Sequence, residues 1–186
     1  MSASVSDARL AEHPAFRELS PARVEQLAQQ LTLRRFAIGQ ALCHRNLVPG
    51  EVLLILEGEA RLLVEEQGRP ATLVKLLPGD WVGLASFLRV KGCEEVAAAS
   101  DLQVAALADH DLLQLLQEEP VFRAWCSVQL WPAELASLLE PLLASHPTAQ
   151  VGLRELTRAM QPHARAVPPT ATAVGGVRAS EQLVVA

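Results

Sequence analysis

The chain has 186 residues, half of them hydrophobic and only 4 % aromatic, and its formal net charge is −5. This length allows one domain of ordinary size with additional helices. The acidic balance argues against a nucleic-acid-binding protein, whose affinity depends on a basic face. The first residues show no signal peptide and the apolar runs are shorter than a membrane span, so we expect a cytoplasmic protein without direct membrane insertion.

The beginning of the chain predicts two short helices. The first covers about residues 7–15 and stops near His13 and Pro14. The second opens at Ser20-Pro21, because serine is a favoured N-cap and proline a favoured first helical residue. Apolar residues at helical spacing then give this second helix one buried face.

The region from residue 31 to residue 107 predicts about eight short strands separated by turns. Seven apolar or alternating runs carry this pattern, at residues 31–36, 41–43, 52–56, 60–65, 72–77, 94–99 and 102–107. Such spacing is typical of a jelly roll or barrel. We therefore expect a mainly β fold: an eight-stranded β-roll (a jelly roll or double-stranded β-helix) with N-terminal and C-terminal helices.

The last third of the chain predicts helices separated by prolines. Asp109 is expected to cap one helix, and Pro120 and Pro132 to interrupt the pattern. Residues 132–145 carry a leucine stripe at helical spacing, in which Pro141 should kink or restart the helix. We expect a β-roll with flanking helices over residues 1–130, C-terminal helices over 131–160, and a flexible tail or linker over 161–186.

The most informative segment is residues 78–88, with the sequence PGDWVGLASFL. A Gly-Asp pair, two residues and a second glycine, Gly83, predict a turn followed by a small helix with a free N-terminus. Backbone N–H groups at such an end can hold an anion. The same pattern also fits a purely structural turn, in which glycine supplies positive φ angles and aspartate caps the next segment.

The order of these elements resembles the cyclic-nucleotide-binding domain family, which includes the bacterial catabolite-activator regulators and the regulatory subunits of the cyclic-AMP-dependent kinase. The resemblance covers about residues 16–126. The pieces that carry it, in order along the chain, are FAIG (36–39), VLLILEG (52–58), LLPGDWVG (76–83) and VAAL (104–107).

The resemblance implies a ligand cassette after the Gly-Asp turn. In the family a Gly-Glu pair is followed by Arg-Ser/Thr-Ala, and the glutamate holds the ribose while the arginine pairs with the cyclic phosphate. Here Gly83 is present and Leu84 stands at the glutamate position. The Arg-Ser/Thr-Ala position falls at Gly92-Cys93-Glu94, and the arginine is absent.

The implied pocket is therefore degenerate, and its residues are Gly83, Leu84, Ala85, Ser86, Gly92, Cys93 and Glu94. Each lost charge-assisted contact is worth about 1.5–3 kcal/mol, so losing two weakens binding by roughly 10²–10⁴-fold. We expect no cofactor and no ordinary binding of cyclic AMP or cyclic GMP. Backbone N–H groups near residues 84–86 remain a candidate anion cradle, with Arg89 or Lys91 as substitute cations.

Other side chains in this region have ordinary interpretations. Glu94 and Glu95 are expected at a solvated loop edge, with pairing to Arg89 and Lys91 as the alternative. Cys93 is expected to be a small buried residue rather than a redox sensor.

Enzymatic chemistry finds no support in the sequence. The cysteines Cys43, Cys93 and Cys126 are widely spaced, with no CxxC pair, and predict free thiols rather than a zinc site. The five histidines are scattered without a metal-binding spacing, which disfavours the metal-dependent cupins. No catalytic triad can be argued, so we expect that the protein is not an enzyme.

Three functions remain open at this stage. The favoured one is a regulatory or protein-interaction module, expected as the N-terminal part of a larger transporter or signalling protein and resembling those at the N-terminus of some bacterial ATP-binding-cassette exporters. Burial of the leucine stripe against another molecule and packing of the stripe on the roll are both open. Its expected partner is another protein domain or a second copy bound through residues 132–145. A catabolite-activator-type regulator needs a recognition helix that the prolines after residue 160 disfavour. A cupin-like metal enzyme is the third alternative.

Overall fold

The computed structural model describes residues 10–166, and these form two four-stranded antiparallel sheets with helices at both ends of the roll. The eight strands of this region are β1 (Thr32–Phe36), β2 (Ala41–Cys43), β3 (Glu51–Glu57), β4 (Ala60–Glu66), β5 (Arg69–Leu76), β6 (Trp81–Val82), β7 (Glu95–Ala98) and β8 (Leu102–Ala108). The predicted mainly β roll with flanking helices is confirmed.

The strand order is β1-β8-β3-β6 in one sheet and β2-β7-β4-β5 in the other. Strand β3 lies inside the first sheet, paired with β8 and with β6. Its five central residues are all buried, which explains why it is a continuous apolar run and not an alternating one. One face of β3 meets the second sheet and the other face meets the helices.

Two apolar clusters form the core. Val52, Leu54 and Leu56 of β3 belong to the helix-side cluster, together with residues from the N-terminal segment and from the helices that follow the roll. Leu53 and Ile55 point the other way, into the inter-sheet cluster, where they meet β4, β7 and β8. Because successive residues of a strand point to opposite faces, a substitution at an even-numbered position of β3 disturbs the helix-side cluster. A substitution at an odd-numbered position, 53 or 55, disturbs the inter-sheet cluster.

The described helices are α1 (Pro21–Gln30), α2 (Leu84–Leu88), α3 (Asp109–Glu118), α4 (Pro120–Val128), α5 (Pro132–Ser145) and α6 (Leu153–Met160), followed by a 3₁₀ turn at Gln161–His163. Ser20 caps α1, since its hydroxyl accepts a hydrogen bond from the Arg23 N–H, and Pro21 is the first helical residue. Both features were predicted. None of these helices has the length and apolar character needed to cross a bilayer.

An aromatic cluster joins the N-terminal segment to the roll and to α4. The His13 ring lies 5.8 Å from the ring centres of both Trp81 and Trp125. Phe16 stacks on Phe122 at 5.8 Å. These contacts seal the helix-side cluster at the end of the roll that carries the Gly-Asp turn.

Some boundaries differ from the prediction. The helix predicted over residues 7–15 begins outside the described residues, and helical geometry ends at Ala11. Asp109 is the first residue of α3 and not its cap, because Ala108 holds the extended N-cap conformation. Helix α5 continues through Pro141 without restarting. Strand β6 was not predicted, since two residues give no periodic signal.

The C-terminal helices pack on the roll. Leu135 and Leu139 of α5 and Leu153 of α6 are buried in the inter-sheet cluster. The predicted leucine stripe is thus partly covered within the chain, and Leu142 remains 38 % exposed. Of the linker expected over 161–186, only residues 161–166 are described, so most of that prediction lies outside the described residues.

Candidate functional site

The Gly-Asp turn connects β5 to β6 and places α2 against the roll. The Asp80 carboxylate accepts a hydrogen bond from the Leu77 N–H at 2.7 Å, which closes the turn. Gly79 has φ of +96° and Gly83 has φ of +85°, conformations that favour glycine. At Gly83 a Cβ atom would also approach the Pro49 ring to 3.0 Å. Gly83 is the N-cap of α2.

The first residues of α2 point into the protein. Leu84 is fully buried in the helix-side cluster, and Ala85 and Ser86 are equally inaccessible. Burying a leucine side chain stabilises the fold by about 1.5–3 kcal/mol. At the position where the family resemblance implies a glutamate, this chain therefore uses its side chain for core packing.

A carboxylate of the protein itself occupies the N-terminal end of α2. Glu94 accepts a hydrogen bond from the Gly83 N–H at 2.9 Å through Oε1, and one from the Ser86 N–H at 2.8 Å through Oε2. Its side chain is almost completely buried, with 4 % of the residue exposed. Burial raises the pKa of the Glu94 carboxyl, while the hydrogen bonds from Ser86 and Gly83 act in the opposite direction.

Ser86 and Cys93 brace this arrangement from the other side. The Ser86 hydroxyl accepts a hydrogen bond from the Cys93 N–H at 3.1 Å, and its oxygen lies 3.6 Å from the Cys93 sulfur. Burial raises the pKa of the Cys93 thiol to about 11. A neutral, half-buried thiol is a poor nucleophile. Gly92 allows close packing here, since a Cβ atom would lie 2.3 Å from the Leu47 nitrogen.

Two ion pairs tie helix α5 to this region. The Arg89 guanidinium contacts the Glu134 carboxylate, and the Arg45 guanidinium contacts the Glu140 carboxylate. Glu134 is buried, and its Oε2 atom has no hydrogen-bond partner within the described residues. The first turn of α5 is therefore fastened to the end of α2, and its middle to the loop after β2.

The structure corrects two expectations about this site. The N-terminus of α2 is not free, because Glu94 accepts its N–H groups; the expectation of a solvated position for Glu94 was wrong, since the residue is buried. Arg89 pairs with neither Glu94 nor Glu95 but with Glu134. The partnership with α5 was missed, because a glutamate within a leucine-rich helix carries no signal for which loop it will meet.

The implied pocket residues are thus brought together by the fold. Gly83, Ser86, Cys93 and Glu94 form one hydrogen-bonded unit. Within residues 10–166 no group of three or more His, Cys, Asp or Glu side chains is arranged to hold a metal ion.

The model of the family "Cyclic nucleotide-binding domain" matches residues 33–119. This range contains all eight strands except the first residue of β1. This part of the chain is similar to that family in sequence. The match includes the Gly-Asp turn, α2 and Glu94, so the geometry described above lies inside the matched region.

Relatives of known role are regulatory proteins. A cAMP-dependent protein kinase regulatory subunit from Mycosarcoma maydis is 29 % identical over 113 residues, which cover 58 % of this chain and 22 % of the relative. The chain therefore spans about a fifth of that relative's length.

Solved structures share the fold. The catabolite activator protein of Thermus thermophilus superposes with a TM-score of 0.53 at 24 % identity, covering 73 % of this chain and 60 % of that one. A regulatory subunit of a cAMP-independent protein kinase A from Trypanosoma cruzi gives 0.51 at 22 % identity, covering 63 % and 47 %. Both solved structures are less than 25 % identical to this chain, so the likeness to them concerns the fold alone.

Proposed function

We propose that this chain is a regulatory, protein-interacting cyclic-nucleotide-binding-type domain that does not bind cyclic AMP or cyclic GMP in the usual way. The observation that carries the proposal is the position of the Glu94 carboxylate on the Gly83 and Ser86 N–H groups. A phosphate at these donors would have to displace a buried side chain that already uses both N–H groups. The displaced carboxyl would then lose its hydrogen bonds inside the protein, which costs free energy.

The surrounding side chains also support this proposal. Leu84 offers no polar atom to a sugar and is buried in the core. The nearest arginine on α2's C-terminal side, Arg89, is already paired with Glu134. A cyclic phosphate bound at the start of α2 would therefore meet a carboxylate and lack the cation that makes such contacts strong.

A larger protein is the second part of the proposal. The chain spans 22 % of the kinase regulatory subunit that it matches, and we expect this domain to be the N-terminal part of a longer transporter or signalling protein. An antibody against the domain tests this on an immunoblot of cells that express the native gene. A native band well above 20.1 kDa is expected, and a band at that mass would contradict it.

Thermal unfolding with added ligand tests the nucleotide part. We expect no change in the Tm of the full chain with 1 mM cyclic AMP, cyclic GMP or a cyclic dinucleotide. Ligand at 100 times its Kd would contribute about 2.7 kcal/mol, which corresponds to about 5–10 °C for a domain of this size. A shift of that size with any of the three would contradict the proposal.

Two additions make the screen sharper. The Glu94→Gln variant, with Glu65→Gln at an exposed position as its control, shows whether the internal carboxylate is what excludes the nucleotide.

The Trypanosoma cruzi structure contains bound guanosine, a nucleoside without phosphate, so guanosine belongs in the same screen. A shift with guanosine alone would point to a pocket that recognises a base and sugar without an anion.

A further inference from the structure

The short helix α2 ends in an unusual way. The Lys91 N–H donates to the Ser86 carbonyl at 3.1 Å, and the Val90 N–H donates to the Phe87 carbonyl at 3.0 Å. This pair of hydrogen bonds is a Schellman motif, whose left-handed residue is commonly glycine. Here that residue is Val90, with φ of +52°.

A valine is poorly suited to this position. Its branched side chain makes a positive φ a genuine outlier, and such strain persists only where something else requires the residue. Packing within the domain does not require it, because Val90 is 80 % exposed. Glycine would relieve the strain at no cost to the core, so the valine points to a role outside the folded domain.

The loop after β2 adds to the same surface. Its backbone abuts the loop that carries Val90, as the 2.3 Å approach of a Gly92 Cβ to the Leu47 nitrogen shows. Leu47 and Val48 are 61 % and 45 % exposed. Together, Leu47, Val48, Val90 and Lys91 form what we name the 47/90 patch.

These two loops carry more basic than acidic side chains, although the chain has a net charge of −5. Residues 44–50 and 89–94 contain two arginines, a lysine and a histidine, and their one carboxylate, Glu94, is buried and accepts backbone N–H groups. Glu95, directly after them, lies 3.4 Å from the His44 ring nitrogen. Arg45 and Arg89 are held by carboxylates of α5. The Lys91 side chain is exposed and makes no ion pair or hydrogen bond within residues 10–166. A partner segment that carries carboxylates would complement the positive charge of Lys91.

We propose that the 47/90 patch binds a protein segment in which aliphatic side chains are flanked by aspartate or glutamate. The aliphatic side chains would cover Leu47, Val48 and Val90, and a carboxylate would pair with Lys91. The proposal rests on the proposed function as an interaction module and names the chemistry of the partner segment.

Selection from a displayed library of random 16-residue peptides on the full chain tests the proposal. The matched counter-target is the L47S/V48S/V90S variant, which changes only exposed side chains and should retain the Tm of the parent within a few degrees. We expect peptides enriched in aliphatic and acidic residues that do not bind this variant. In the K91E variant their affinity should fall about fivefold.

The V90G variant separates a binding role from a folding role. Relief of strain should raise its Tm by about 2–4 °C, while loss of the valine side chain should weaken the selected peptides about tenfold. A variant that is less stable than the parent, or that binds the peptides equally well, would overturn the proposal.

Other outcomes are equally decisive. No enrichment, equal binding to the triple variant, or a consensus rich in lysine and arginine would reject the patch as a docking site for an acidic segment. Self-association of the full chain in sedimentation, lost in the triple variant, would assign the patch to a second copy and overturn the proposed occupant. None of these results depends on nucleotide binding, so failure here is distinguishable from failure of the proposed function.

Discussion

At the scale of single residues, Glu94 shows how a side chain can take the place of a ligand. Its two oxygens accept N–H groups that a helix of this position would otherwise present to solvent or to an anion. A carboxylate at an exposed loop edge would contribute little. Buried in this unit, it stabilises the connection between α2 and the strand that follows.

Replacing Glu94 with glutamine should therefore destabilise the domain. The amide oxygen still accepts one N–H group, but the amide nitrogen faces the other donor. We expect a loss of about 1–3 kcal/mol in the free energy of unfolding, measured by urea denaturation with circular dichroism. The control is Glu65→Gln, at an exposed position of β4. Equal stability of the two variants would show that the Glu94 contacts contribute nothing.

His13 is the second residue with a measurable consequence. Its Nε2 atom lies 2.8 Å from the Gly79 carbonyl oxygen, and its Nδ1 accepts the Ala15 N–H at 3.1 Å. These two contacts assign the His13 ring to its neutral form with the proton on Nε2. Burial lowers the pKa of His13, although the Gly79 hydrogen bond and the Asp80 charge act in the opposite direction.

Acid should therefore destabilise the fold through His13. The unfolded chain takes up a proton below about pH 6.5 and the folded chain only at lower pH, so this contribution is complete above about pH 7.5 and declines as the pH falls through 6.5. Urea denaturation of the wild type and of His13→Gln between pH 5 and pH 8 measures the difference. The exposed His163→Gln variant serves as control. Parallel pH profiles for wild type and His13→Gln would contradict the assignment.

At the scale of elements, helix α5 is held against the end of α2 and the loop after β2 by two ion pairs, and its leucines pack on the roll. Arg89 is about half exposed in its pair with the buried Glu134. Removal of the arginine leaves a buried carboxylate without its cation, which costs more than removal of an exposed pair. The end of α2 and the start of α5 should therefore respond to each other's substitutions.

A double-mutant cycle tests this coupling. We expect Arg89→Ala to lower the free energy of unfolding by about 1–3 kcal/mol. The control Lys91→Ala, two residues further along the same loop, should lower it by less than about 0.5 kcal/mol. Arg89→Ala combined with Glu134→Ala should lose less than the sum of the single changes, with a coupling of about 0.5–3 kcal/mol. Strict additivity would mean that the ion pair carries no energy.

The elements themselves were largely predictable. Strand β3 and the Ser20-Pro21 helix start carry strong local signals, an unbroken apolar run and a cap. Strand β6 carries no such signal, because two residues are too few to show an alternating pattern. The start of α3 is ambiguous in the sequence, because Asp109 fits both the N-cap and the first helical position. The inward turn of Glu94 could not be predicted either, since only the tertiary fold brings residue 94 next to residues 83 and 86.

At the scale of the whole molecule, the two clusters on opposite faces of β3 make the roll and its helices one structural unit. Val52 and Leu54 pack under the helices, while Leu53 and Ile55 pack between the sheets. The Gly-Asp turn leads into both clusters, since Val82 of β6 belongs to the inter-sheet cluster and Leu84 of α2 to the helix-side cluster.

The aromatic cluster gives the protein an optical label of its own. The chain has three tryptophans and no tyrosine, and Trp81, Trp125 and Trp131 are linked in one neighbourhood, through His13 and through a 6.0 Å contact between the last two rings. Nearly all of its near-ultraviolet emission thus originates where the helices meet the roll. Spectral changes after mixing with a partner would report on that junction alone, without any attached dye.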